Sequence, residues 1–236
     1  MHKLKQIIES LDSKLNRKSK EQNKNKLNEG CFVYELEADT TIPSEYILLM
    51  HFLGEINIDL EKKIKKYLLS KQNKDGGWPL YFNGESNVSA SVKAYYALKL
   101  SGVSPKKSFM QLAKNFIVTN GGAEESNVFT RITLALFGQI SWEAVPYMPI
   151  EIINLPKWFP FNIYKISYWS RTVLIPLLII MNKKPSANNP NGIDIQELFI
   201  KPGRIIKEIK PADKKKFSII FKYFDKVLRL ILPKLF

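Results

Sequence analysis

The segment 155–181 is the densest aromatic and apolar stretch of the chain. It reads LPKWFPFNIYKISYWSRTVLIPLLIIM and contains Trp158 and Trp169, two of the four tryptophans. Aromatic faces fill ordinary cores, and they also attract cations through their π electrons. The stretch therefore indicates either an unusually heavy core or the wall of a cavity for an apolar or cationic molecule.

A helix is predicted over 163–181 to position these side chains. Four apolar residues recur there at helical steps: Ile166, Trp169, Val173 and Ile180. Pro176 lies inside the predicted helix and removes a backbone donor, so we expect a kink. The uncharged run 172–182 is too short to cross a bilayer, which favours a buried helix.

Three earlier segments share one pattern, a compact apolar helix that ends at a glycine. They are 46–54, 95–102 and 131–138, and a terminal glycine suits a left-handed helix cap. Lysine-rich amphipathic helices are predicted between them, at 60–71 and 109–119. The pattern predicts an all-α fold of the α/α type, with apolar inner helices against polar outer ones.

The first outer helix leads directly into the turn KQNKDGGWPLY. Leu68, Gln72, Gly76 and Trp78 follow each other at steps of four, four and two. At this spacing the Gln72 amide can bond backbone groups at the helix end, the glycines can form the turn, and Trp78 can fold back over the helix terminus. We interpret these four residues as a structural turn.

The two ends of the chain are strongly basic. The chain carries a formal net charge of +14, and the charge is concentrated in 1–26 and 201–236 while the middle is nearly neutral. Segment 214–232 is an amphipathic helix with a narrow polar stripe, typical of a helix lying in a membrane interface. Its predicted membrane-binding residues are Phe217, Ile220, Phe221, Phe224, Leu228 and Ile231. A terminal helix docked on the protein body is the alternative.

Several functional classes are disfavoured by composition. Aromatic residues do not alternate with the basic residues of 1–26, so we expect no nucleic-acid partner. A single cysteine, Cys31, excludes a disulfide framework and fits a reducing compartment. The two histidines, His2 and His51, are too few for a metal site, and we expect no metal and no cofactor. The N-terminus lacks the apolar core of a signal peptide.

Composition also predicts three regions along the chain. Residues 1–28 form a basic tail with one docking helix, 29–200 form the α/α domain, and 201–236 form a linker with the membrane-associating helix. Within this scheme the segment 182–203 is rich in Asn, Pro and Gly. We interpret it as a turn-rich linker.

At this point the chain resembles the N-terminal half of bacterial squalene–hopene cyclases. Successive blocks carry the resemblance in order, including ELEADTTIPSEYILLMHFLG, KQNKDGGWPLY, SNVFTRITLALFGQISWEAVP, PIEIINLPKWFPFN, YWSRT and FKYFDKVLRLILP. The turn at 72–78 is similar to the repeated QW motif of that family, although the Lys/Arg-Gly start of the full motif is missing. The resemblance covers about 27–236.

The resemblance implies a membrane-attached triterpene cyclase, with α/α-barrel domains around a hydrophobic cavity for squalene or a similar polyprenoid. Matching positions place Trp169 and Glu45 at the cavity and Ile166 and Leu174 at the constriction of the substrate channel. The helix at 214–232 matches the membrane-inserting segment. The implied location is the cytoplasmic side of the cell membrane, as a peripheral or monotopic protein.

One departure from the family is serious. Its cyclisation starts from an aspartic acid in a D-x-D-D motif, and this motif occurs nowhere in the 236 residues. Protonating an alkene requires an unusually strong acid held by neighbouring donors or charges. We therefore expect an incomplete toroid with no catalytic residue of its own, as a fragment, a split-gene subunit or a degenerate copy. A separate C-terminal half or a second copy of the chain is the expected partner, and a non-catalytic lipid-binding scaffold is the alternative.

Two charged residues on apolar helices remain open to more than one interpretation. Glu45 is either a polar group facing the cavity or a paired structural charge. Lys93, in VSASVKAYYALK, is predicted to be a solvated or snorkelling lysine rather than a catalytic one.

Overall fold

The computed structural model describes residues 39–158, 162–189 and 191–201, all of which belong to one compact unit. The predicted N-terminal tail at 1–28 and the predicted membrane helix at 214–232 lie outside these ranges. The limits predicted for the three regions stay predictions.

The described residues are mainly helical, so the all-α prediction is confirmed. The α-helices are α1 (Thr41–Leu53), α2 (Ile58–Ser70), α3 (Val88–Leu100), α4 (Ser108–Thr119), α5 (Val128–Leu136) and α6 (Tyr168–Lys183). Short 3₁₀ turns lie at Ala123–Glu125, Trp142–Ala144, Ile150–Asn154, Ile163–Lys165 and Gln196–Leu198. The strands of this part of the chain are β1 (Trp78–Pro79) and β2 (Ser86–Asn87), an antiparallel pair with Trp78 opposite Asn87.

Helix α3 is the centre of the core. Eleven of its thirteen residues are buried, and α1, α4 and the strand pair pack around it. Its serines and alanines have small side chains, which let neighbouring elements approach closely on all sides. By contrast, α2 buries only Leu68 and exposes Lys62, Lys63 and Lys66 to solvent. The predicted division into apolar inner and polar outer helices is confirmed for this pair.

The three predicted glycine stops are confirmed. Gly54, Gly102 and Gly138 follow α1, α3 and α5 and have φ angles of 75°, 80° and 66°. L-residues with a Cβ avoid this left-handed region, so glycine ends these helices at little cost. At Gly54, for example, the backbone N–H donates to the carbonyl of Met50.

The helix predicted over 163–181 begins later than expected. Asn162 accepts hydrogen bonds from the N–H groups of Tyr164 and Lys165 and holds a separate 3₁₀ turn. Ser167 then caps α6 by accepting from the N–H of Ser170. Polar side chains that bond nearby backbone in this way compete with a continuous helix. Pro176 lies inside α6, and its kink stays a prediction.

The prediction of a linker at 182–203 is wrong for its second half. Ile195 and Leu198 are fully buried in the core, and the side-chain oxygen of Gln139 accepts from the N–H of Ile195 at 3.0 Å. The segment is rich in turns, but its apolar residues are spaced to fill the core. Turn-forming composition alone did not reveal this packing.

Within the described ranges no helix is both long enough and apolar enough to cross a bilayer.

Candidate functional site

The turn at 72–78 connects the end of α2 to the start of α4 through the side-chain amide of Gln72. Nε2 of Gln72 donates to the carbonyl of Gly76 at 2.7 Å, inside the turn, and to the carbonyl of Phe109 at 2.9 Å, at the start of α4. The amide therefore satisfies two backbone acceptors that belong to different helical hairpins. Gln72 fastens the end of α2 to the next hairpin.

Trp78 stabilises the same turn through two hydrogen bonds. Its indole Nε1 donates to the carbonyl of Leu68 at 2.8 Å, in the last turn of α2, and its backbone N–H donates to Oγ of Ser91 at 2.9 Å. Both Trp78 and Leu68 are fully buried. Free carbonyls at a helix end need partners, and the buried indole supplies one. This geometry makes Trp78 a structural brace.

Gly76 is required by space as well as by conformation. Its φ angle is 91°, and a Cβ added there would lie 2.5 Å from the backbone carbonyl carbon of Leu112 on α4. No side chain fits at that distance without moving α4. The turn can therefore dock against α4 only with glycine at this position.

Helix α6 presents an exposed apolar face headed by Trp169. The Trp169 side chain is 81% exposed, and the exposed residues that follow it at helical steps are Val173, Pro176 and Ile179. An exposed indole face offers a surface for apolar chains and for cations. The face could lie against an apolar molecule or against another polypeptide segment.

The other residues predicted at the cavity lie on different surfaces. Leu174 is half-buried and shares the inward side of α6 with Leu178 and Met181, both of which are buried. Ile166 is half-buried and precedes the helix, as the residue after the Ile163–Lys165 turn. The structure therefore separates Leu174 and Ile166 from the exposed face that carries Trp169.

Glu45 lies on α1 and is ion-paired. Nζ of Lys93, on α3, approaches Oε1 of Glu45 at 2.6 Å, and the lysine side chain is 7% exposed whereas that of Glu45 is 47% exposed. The first alternative, a solvated Lys93, is wrong, because all but 7% of its side chain is covered. The pair satisfies the buried ammonium, and the exposed half of Glu45 remains open to solvent or a ligand.

Sequence reasoning missed a partly buried polar cluster that joins α3 to the last 3₁₀ turn. Oε1 of Glu197 accepts from the hydroxyl of Tyr95 at 2.9 Å and from Nζ of Lys99 at 2.6 Å. Burial opposes ionisation of Glu197, but hydrogen bonds from Lys99 and Tyr95 outweigh it and lower its pKa. Burial, followed by the charge of Glu197, raises the pKa of the Tyr95 hydroxyl. Glu197 lies about 100 positions from Tyr95 and Lys99 along the chain. No local spacing in the sequence therefore predicts their contact.

The described residues contain no cluster of three or more His, Cys, Asp or Glu side chains that could hold a metal ion. The six predicted membrane-binding residues lie outside the described ranges.

Comparisons with known proteins place the sequence in one family. The family model described as the squalene-hopene cyclase N-terminal domain matches residues 15–235. The squalene–hopene cyclase of Zymomonas mobilis is 48% identical over 206 residues, which cover 87% of this chain and 31% of that protein. The corresponding enzyme of Bradyrhizobium diazoefficiens is 49% identical over 209 residues, covering 87% and 32%.

A relative of lower sequence identity belongs to the same family. The squalene–hopene cyclase of Alicyclobacillus acidocaldarius is 40% identical over 172 residues, covering 73% of this chain and 27% of that protein. The chain belongs to the squalene–hopene cyclase N-terminal domain family, and the resemblance seen in the sequence is confirmed. It spans about a third of the length of these curated relatives.

Proposed function

We propose that this chain supplies one wall of a polyprenoid-cyclisation cavity, for squalene or a similar substrate, and attaches that wall to a membrane. The observation that carries the proposal is the exposed face of α6, with Trp169 at its head. Such an aromatic face suits a greasy substrate that develops positive charge, since a desolvated cation–π contact contributes about 2 kcal/mol.

A second apolar face supports the idea that another polypeptide segment completes the site. Helix α1 buries Ile47 and Leu48, while its opposite side exposes apolar residues at steps of four, three and four. These are Ile42, Tyr46, Leu49 and Leu53. Exposed apolar surface of this extent typically marks an interaction site.

We propose further that the 236 residues do not cyclise squalene by themselves. The D-x-D-D acid motif is absent from them. The acid would come from a partner segment, either a C-terminal cyclase half or a second chain. Membrane attachment is assigned to the helix predicted at 214–232, on the cytoplasmic side.

The alternative is a lipid-binding scaffold without chemistry, which the absence of the acid motif favours. The two proposals differ in one outcome. A cavity wall should restore cyclisation when a C-terminal half with D-x-D-D is added, whereas a scaffold should bind polyprenoid and form no product.

The test mixes the purified chain with squalene in mixed micelles, with and without the C-terminal half of the Zymomonas mobilis relative, and measures triterpene products by gas chromatography. We expect no product from the chain alone and product from the mixture. Trp169→Ala should lower product yield about tenfold, which corresponds to about 1.4 kcal/mol. Trp158→Ala is the matched control, because Trp158 is also highly exposed but lies outside α6.

Cyclised product from the chain alone would overturn the proposed inactivity. Equal losses in the Trp169 and Trp158 variants would overturn the assignment of the α6 face as a cavity wall.

A further inference from the structure

The loop between β1 and β2 carries three consecutive apolar residues in water. Leu80, Tyr81 and Phe82 are 43%, 68% and 70% exposed. We call residues 80–84 the hairpin tip. Single exposed apolar side chains are common on protein surfaces, whereas adjacent large ones point to a contact with an apolar phase.

The hairpin tip is held in a defined conformation by polar contacts. Nδ2 of Asn73 donates to the carbonyl of Gly84 at 3.1 Å, and the N–H of Gly84 donates to the carbonyl of Tyr81 at 3.0 Å. A Cβ at Gly84 would lie 2.8 Å from the ring of Tyr81, so the ring packs directly on this glycine. Asn83 has a left-handed φ of 55°. The exposure of the aromatic rings is therefore a property of a built turn.

Lysine side chains lie on the α2 side of the apolar tip. Nζ of Lys71 lies 5.9 Å from the ring centroid of Phe82 and 5.4 Å from that of Tyr67, and the exposed Lys74 follows in the turn beneath. The sequence from Lys62 to Glu85 contains six lysines and two acids. One of these acids, Asp75, already accepts from Oγ of Ser86 and from the N–H of Gly77. The tip thus combines exposed aromatic side chains with nearby lysines, and Asp75 and Glu85 are the acids beside them.

We propose that the hairpin tip inserts Tyr81 and Phe82 into the headgroup region of an anionic bilayer. Aromatic side chains favour the membrane–water interface, and clustered lysines attract anionic lipid. A stable protein interface needs roughly 800 Å² on each partner, more than three side chains supply. The proposal extends the membrane attachment proposed above to a second site, and it uses none of the residues of the helix at 214–232.

A local probe tests the insertion. Phe82→Cys is made in a Cys31→Ser background and labelled with an environment-sensitive fluorophore, then mixed with vesicles of phosphatidylcholine with or without one-third phosphatidylglycerol. We expect the emission to shift to shorter wavelength only with the anionic vesicles, and high salt should reduce the shift because it screens exposed charges. The same label at Phe129→Cys, an exposed site on α5, should not respond.

Attachment through the helix at 214–232 alone would bring the chain to the vesicles without changing the probe at position 82. That outcome would overturn this inference and leave the membrane attachment proposed earlier intact. A shift that depends on protein concentration in the absence of vesicles would instead show self-association through the tip, and it would also overturn the inference.

A second measurement uses unlabelled protein. The double variant Tyr81→Ser/Phe82→Ser should reduce the fraction that floats with anionic vesicles at least threefold, while Phe129→Ser should leave it unchanged. Both changes are at exposed positions, and circular dichroism checks that the helices remain. Undiminished flotation of the double variant would contradict the insertion.

Discussion

At the scale of single residues, two glycines with similar backbone conformations have different surroundings. Gly54 and Gly76 have φ angles of 75° and 91°, but a Cβ at Gly54 meets nothing within 4 Å while one at Gly76 meets the backbone of Leu112. Gly54→Ala should therefore lower the free energy of unfolding by about 1 kcal/mol, from conformational strain alone. Gly76→Ala should lower it by about 3 kcal/mol or more, because overcrowding is added.

Urea denaturation of the two variants measures this difference. The Gly54 variant serves as the control for left-handed strain. Equal losses of stability at the two positions would show that the approach of the turn to α4 is looser than described.

Glu197 should make part of the stability depend on pH. Its pKa in the folded protein lies below the ordinary value of about 4.5 because Lys99 and Tyr95 donate to it. A depressed pKa stabilises the fold above the unfolded-state pKa, and this contribution disappears as pH falls through the folded-state pKa. Glu197→Gln should therefore cost about 1–3 kcal/mol at pH 7, as expected for a hydrogen bond to a charged group.

The measurement is the free energy of unfolding of both proteins between pH 7 and pH 3. The gap between wild type and Glu197→Gln should narrow as the pH falls below about 4.5. A gap that stays constant over this range would show that the carboxylate charge does not contribute.

At the scale of elements, the last described segment belongs to the core rather than to a linker. Leu198 is fully buried, whereas Ile200, two positions later, is 61% exposed. Leu198→Ala should lower the free energy of unfolding by about 2–5 kcal/mol, since it removes buried methyl groups and leaves a cavity. Ile200→Ala, its matched control, should change it by less than about 0.5 kcal/mol. Thermal or urea unfolding of the two variants separates these outcomes, and a similar small change in both would restore the linker interpretation.

The sequence predicted the elements that depend on interactions between neighbouring residues better than those that depend on distant ones. The glycine stops at Gly54, Gly102 and Gly138 follow from backbone sterics that each residue carries with it. The start of α6 was missed because Asn162 and Ser167 bond the nearby backbone in competition with the helix. The bonds of Glu197 to α3 were missed because they join residues about 100 positions apart, and only the folded chain brings such residues together.

At the scale of the whole molecule, the apolar spacing at 163–181 predicted the helix but not all of the residues that lie on its exposed face. It placed Trp169 correctly on a helix, but it also put Ile166 on that helix, where the structure has a turn boundary. Spacing did not reveal that Leu174 lies on the inward side of α6. The family match states which kind of protein this is, and the roles of these single positions stay predictions.

The two apolar faces of α1 and α6 define what the described unit presents to its surroundings. Both faces consist of side chains that would be core residues if another segment covered them. Each face is therefore a surface that the partner segment proposed above would cover.

The two hydrogen bonds that the Gln72 amide donates have a consequence for the order of folding. One of its acceptors, Gly76, is four residues away, while the other, Phe109, becomes available only when α4 has docked. The turn after α2 can form early, but its glutamine remains half satisfied until the following hairpin arrives. The turn should therefore acquire its final rigidity only when α4 is in place.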